Sequence, residues 1–164
     1  MGKVAVVMGS ASDLPVAEKA VAVLREYEVP VEVRVLSAHR CPNEAREFAA
    51  SARESGFSCL IAAAGMAAHL AGALAANCTL PVIGIPCGGG AFSGMDALLS
   101  TVQMPFGIPV AAVAVDGAKN AALLAIQILA VTDEALARKL EEARQREKAA
   151  VLAKDRELME RFQG

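Results

Sequence analysis

The chain has 164 residues, a formal charge of −2 at pH 7 and a pI near 5.7, which excludes the clustered basic face of a nucleic-acid binder. That length suits a single domain, 1–164, burying roughly two-thirds of its unfolded surface. Four cysteines, at 41, 59, 78 and 87, form no CxxC pair and no metal-ligand spacing, so free thiols in a reducing cytoplasm and no metal are expected.

The first residues, MGKVAVVMGS, lack a basic n-region with a long apolar core, and no leader peptide is expected. KVAVVMG (3–9) predicts a buried strand, followed by a helix over 14–27. VEVRVLS (31–37) predicts a second strand, with a helix over 43–55. SCLIAAA (58–64) is a third, with a small-residue helix over 67–77. PVIGIP (81–86) and PVAAVAV (109–115) are the fourth and fifth, and helices near 94–104 and 117–131 complete the alternation. Near-continuous apolar strands alternating with helices mean a parallel sheet covered on both faces. Right-handed crossovers then give an α/β, three-layer, doubly wound, flavodoxin-like fold with five strands.

One segment imitates a membrane span. CLIAAAGMAAHLAGALAA (59–76) is 18 residues without a formal charge, and it lies within a run, 58–115, whose only formal charge is Asp96. Its Ala/Gly composition, the break at Gly65 and the presence of His69 read instead as strand, tight turn and buried helix. No membrane contact is expected. The tail, 132–162, holds 16 of the 34 charged residues, with helical apolar spacing at Leu136, Leu140, Ala143 and Val151. It reads as a long helix, either a solvated cover on a sheet edge or an arm on a neighbouring subunit. The nearly uncharged middle favours the arm and a homo-oligomer.

Ligands of an open parallel sheet bind beyond the carboxyl ends of the strands, where helix N-termini also point. Four turns fall there: MGSASD (8–13), SAHRCP (37–42), AGMAAHL (64–70) and PCGGGAFSG (86–94). They gather Ser10, Ser12, Asp13, Ser37, His39, Arg40 and His69, and so both histidines of the chain. Gly9 permits a tight turn, and the Ser10 and Ser12 hydroxyls suit a phosphate or carboxylate. Arg40 offers a planar fork for phosphate, and Asp13 an acceptor for ribose hydroxyls or an amine. Imidazole titrates near neutrality, so His39 is a candidate proton shuttle. Plainer readings stand beside these: Ser12 or Asp13 as a helix cap, Ser37 as a turn hydroxyl, His69 as a satisfied core histidine, and Gly88–Gly90 equally as a flexible connection or a close-approach loop. Cys41 stands two residues from His39, but no third residue orients such a pair. It is predicted at the helix N-cap before Pro42, with Glu44 at N3.

VVMGSASD, VLSAHRCP, AGMAAHLAG, LPVIGIP, SGMDALLSTVQMPFGIPVA and AKNAALLAIQIL, together and in this order, resemble the PurE family of purine biosynthesis, the carboxyaminoimidazole ribonucleotide mutases. The similarity runs from about residue 3 to 130. It implies a cofactor-free and metal-free reaction on a small nucleotide. A carbamate on the exocyclic nitrogen leaves as carbon dioxide, which is held in the pocket and re-added at ring carbon C4. Ser10, Asp13 and Arg40 would contact the nucleotide, with Ser12, Ser37 and Arg40 around its phosphate. His39 would be the general acid/base. His69 would line the carbon dioxide and imidazole end with Gly65 and Leu70. The resemblance also implies a homo-octamer with C-terminal helices crossing between subunits.

The chain departs from the family pattern at Cys41, commonly Thr, at Ala63 and Met66, commonly Gly, and at Ala71, commonly Pro. The loop CGGGAFSG is less polar than the family's. A related branch carboxylates aminoimidazole ribonucleotide directly and carries GRSN where this chain has GMAA; Arg40 and His69 follow the mutase pattern. A flavodoxin-like flavin carrier is the alternative from another class, opposed by the absence of Trp and a single Tyr27 to sandwich the ring.

Overall fold

Lys3–Met8 (β1), Val31–Val35 (β2), Phe57–Gly65 (β3), Val82–Cys87 (β4) and Ala111–Ala112 (β5) form one parallel sheet in the order β2-β1-β3-β4-β5. The structure, a computed structural model, describes residues 2–163. The helices are α1 (Leu14–Glu26), α2 (Pro42–Ser51), α3 (Leu70–Ala75), α4 (Met95–Val102), α5 (Ala118–Ala130) and α6 (Glu134–Phe162). The doubly wound reading holds, with its switch in strand order between β1 and β3.

Alternation along the central strands builds two cores. Val4, Val6 and Met8 meet Ala17, Ala20 and Leu24 of α1 and the Ala121, Ala122 and Ala125 stripe of α5. Ala5 and Val7 meet Ala45 and Ala49 of α2 and Leu70 and Leu74 of α3. Side chains of period two on a strand must serve opposite faces, which is why β1 is apolar throughout. Each fully buried Val or Leu contributes about 1.5–3 kcal/mol. A Cβ at Gly84 would collide with Thr101 Cγ2, so glycine there lets α4 lie close on β4.

Three predicted elements are corrected. β2 ends at Val35 and is an edge strand with Val33 and Val35 exposed, so it is not covered on both faces. The third helix starts at Leu70, not 67, because Met66 adopts a left-handed φ of 53° and Ala68 N–H donates to the Met66 carbonyl at 2.9 Å, closing a turn first. The fifth strand shrinks to two residues, although Val113 and Asp116 N–H still donate to the Gly84 and Pro86 carbonyls.

The tail is one 29-residue helix, about 44 Å long. Asp133 caps it by accepting from Ala135 and Leu136 N–H at 3.1 Å. Its first turns are anchored by Leu136, 1% exposed, by Leu140 and Ala143 against the core, and by a Lys139–Glu28 ion pair. From residue 144 onward nearly every position is exposed, Val151, Leu152, Leu158, Met159 and Phe162 included.

Candidate functional site

Four turns at the carboxyl ends of β1 to β4 enclose an open cavity of about 630 Å³, a size that accommodates a mononucleotide. All nine residues singled out from the sequence line it: Ser10, Ser12, Asp13, Ser37, His39, Arg40, Gly65, His69 and Leu70.

After β1, a single 3-10 turn, Ala11–Asp13, leads into α1. Ser10 and Asp13 cap it reciprocally: Ser10 Oγ accepts from Ser12 N–H at 3.3 Å, and the Asp13 carboxylate accepts from Ser10 N–H at 3.1 Å. The Ser10 and Ser12 hydroxyls lie 3.0 Å apart and face the cavity as a pair. The capping role and the binding geometry are therefore compatible. Partial burial raises the Asp13 carboxyl above its ordinary range, and the Ser10 N–H bond works against that rise.

After β2, Leu36 N–H donates to the Met8 carbonyl at 2.8 Å, fixing the second turn beside the first. Ser37 Oγ accepts from Arg40 N–H at 3.1 Å and from Arg40 Nε at 3.4 Å, while Arg40 Nη2 donates to the Gly9 carbonyl at 3.4 Å. Arg40 thus bridges the serine turn and its own turn, with its guanidinium on the cavity wall. Cys41 does occupy the N-cap of α2, with Pro42 at N1, but its sulfur makes no cap bond. Sγ instead accepts from Ser37 N–H at 3.0 Å, orienting Ser37.

After β3, the left-handed Met66 carries the chain round to His69, the residue before α3. The His39 and His69 rings stand 5.2 Å apart between centroids, inclined by 32°. Leu70, which follows His69, is buried and lines the same cavity. Parallel pairing of Gly65 with Cys87 then adds a fourth wall, Cys87 to Gly90. Burial, with Asp13 and Asp116 nearby, pushes the Cys87 thiol up to about 12, so it presents neutral S–H rather than a nucleophile.

Sequence reasoning placed Cys87 in the fourth turn and left Gly88–Gly90 open between a flexible connection and a close-approach loop, without deciding that they wall the cavity. The available signal was the strand order, which sets β4 directly beside β3. Met66, noted only as a departure, projects at the rim with 69% of its surface exposed.

The AIR carboxylase family model matches residues 3–150. This chain belongs to the AIR carboxylase family. A relative from Pyrococcus abyssi, named N5-carboxyaminoimidazole ribonucleotide mutase, is 52% identical over 145 residues, 88% of this chain and 83% of that one. Proteins of the same name from Bacillus subtilis (51% over 158 residues, 95% of this chain and 98% of that one) and Methanocaldococcus jannaschii (49% over 159 residues, 97% and 99%) are similar almost end to end. The crystal structure of Treponema denticola PurE shares the fold at a TM-score of 0.85 and 27% identity, covering 94% of this chain and 97% of that one. Family membership thus agrees with the sheet order, the long C-terminal helix and the clustering of the four turns. No helix among the described residues is long and apolar enough to cross a membrane.

Proposed function

We propose that this AIR carboxylase family member is a cofactor-free N5-carboxyaminoimidazole ribonucleotide mutase of purine biosynthesis, an isomerase that moves a carboxyl group from the exocyclic nitrogen to ring carbon C4. The observation that carries the proposal is the facing pair His39 and His69, set in one cavity with the serine–arginine turns. Relatives about 50% identical over nearly the whole chain bear that name.

The phosphate binds to the Ser10, Ser12 and Ser37 hydroxyls and to Arg40, whose guanidinium is preset by Ser37 and the Gly9 carbonyl. Asp13 accepts from the ribose. His39 donates a proton to the exocyclic nitrogen as the carbamate C–N bond breaks and carbon dioxide leaves. The C4 carbon then attacks carbon dioxide, the new C–C bond forms, and the C4 proton returns to His39. The cycle is balanced in atoms and protons, so one imidazole serves both halves. His69, Gly65 and Leu70 line the end where carbon dioxide waits, and recapture outruns escape only if that end is small and dry.

The catalytic unit is the single domain 1–164, working in the cytoplasm with residues 132–162 as an arm between subunits of a homo-octamer. The exposed apolar residues Met95, Leu99, Val102 and Phe106 on and after α4, and the bare outer half of α6, support assembly.

A side-by-side assay tests the activity. One reaction receives N5-carboxyaminoimidazole ribonucleotide, the other aminoimidazole ribonucleotide with modest bicarbonate. Rapid formation of the C4-carboxylated product only in the first is expected. Comparable rates in both mean direct carboxylation, and silence in both removes the proposal.

A further inference from the structure

We infer that Asp116, which lies outside the cavity, is a positioning residue that holds the Gly88–Gly90 loop as a fixed wall and so keeps released carbon dioxide in the site; this rests on the mutase reading above.

The loop has little else to define its shape. Gly89 and Gly90 adopt left-handed φ of 132° and 62°, and neither has a side chain to pack. Gly88 N–H, however, donates to Asp116 Oδ1 at 2.8 Å, across 28 residues of sequence. Asp116 is itself left-handed, with φ 56°, and its own N–H donates to the Pro86 carbonyl at 2.9 Å. An uncommon backbone state in a non-glycine residue persists where its surroundings impose it. Here it brings the carboxylate round to meet the first amide after β4.

The fit leaves no slack. A Cβ at Gly88 would stand 2.7 Å from Asp116 Oδ2, and one at Gly94 would stand 3.1 Å from Gly88 Cα. The two ends of the loop are therefore drawn together, with Asp116 as the clasp. The wall so formed borders the turn of Gly65, Met66 and His69, the end assigned to carbon dioxide. A loop free to swing there would open an exit.

The test measures how released carboxyl divides between product and solution. N5-carboxyaminoimidazole ribonucleotide carrying ¹³C in the carbamate is supplied in bicarbonate-free buffer, and labelled product is compared with labelled free carbon dioxide. Asp116→Gly removes the acceptor while relieving the left-handed backbone, so a loss reports the missing bond and not new strain. The product-to-gas ratio is expected to fall on the order of fivefold, the scale of one exposed hydrogen bond, with KM unchanged within about twofold. Asp116→Asn keeps an acceptor and tolerates the same φ, and should retain the parent ratio.

An unchanged ratio in Asp116→Gly overturns the inference. So does an Asn variant as leaky as Gly, which would assign the effect to charge. Should Asp116→Gly fail to fold, Gly88→Ala drives the carboxylate off the amide directly and must leak likewise; full retention there overturns it too. A parent enzyme that makes no product at all sinks the mutase reading instead, a separately visible result.

Discussion

His39 and His69 come from turns 30 residues apart in sequence, yet their rings meet at 5.2 Å in a cavity that they share with the serine hydroxyls, Asp13, Arg40 and a run of glycines. Both are exposed and line that cavity, and among the described residues no salt bridge engages either ring. Each is therefore free to address a substrate.

Replacing His39 by Asn should lower kcat by at least about a hundredfold while nucleotide binding, measured by calorimetry, changes little. Asn preserves the size and polarity of the turn but cannot shuttle a proton. Turnover at the parent rate would remove His39 from the mechanism.

Met66 should be a site of stored strain. Its left-handed backbone costs on the order of 1 kcal/mol or more, and its exposed side chain recovers little of that by packing. Met66→Gly should therefore stabilise the fold by about 1 kcal/mol, partly offset by the greater freedom of glycine in the unfolded chain. Met66→Val, β-branched, should destabilise it. Urea titrations of the three proteins decide the order.

Asp13 makes a pH-dependent contribution of definite sign. Burial raises its folded pKa, so the folded state binds this proton more readily than the unfolded chain does. Ionised Asp13 therefore costs stability above the raised value, and the cost disappears as pH falls below the ordinary carboxylate range. Asp13→Asn should raise the melting temperature near pH 7 and make no difference near pH 3, while weakening nucleotide binding. A gain that persists at pH 3 would show another cause.

The thiols divide by depth. Burial pushes both Cys59 and Cys87 up to about 12, and they should resist iodoacetamide at pH 8 until the protein is unfolded. Peptide mapping of native and denatured samples reads this directly. Native labelling of Cys87 would mean that the cavity wall opens.

Much of this architecture follows from pattern alone. Runs such as KVAVVM and the Ala stripe of α5 leave few other ways to bury themselves than in a sheet covered by helices. The serine, histidine and arginine turns were visible because polar residues interrupt apolar runs where strands must end. What pattern could not reveal was adjacency and backbone hand. Nothing in the letters of Met66 marks a left-handed residue, so the late start of α3 had no local signal; Asp116-Gly117 does signal a turn, but nothing local shows that its carboxylate reaches Gly88, 28 residues away. Cys87 belongs here for a related reason: it reads as a turn residue just past the predicted strand, whereas it ends β4 and becomes a wall because β4 pairs beside β3.

The helical tail offers a further check on assembly. A chain ending at residue 149 keeps Leu136, Leu140 and Ala143 and should fold with nearly unchanged stability. If the outer half of α6 holds subunits together, that protein should sediment as a smaller species than the parent. Equal sedimentation would assign the contacts to α4.

Because the cavity draws on the ends of four different strands, it has no local existence; no hairpin or single crossover carries enough of it to recognise a ligand. Nucleotide binding is thus coupled to the whole fold. A ligand at a hundred times its Kd adds about 2.7 kcal/mol to unfolding by mass action alone. In a cell, falling nucleotide supply would therefore do more than idle the enzyme: it would lower the resistance of the entire chain to proteolysis, so that substrate abundance sets enzyme lifetime.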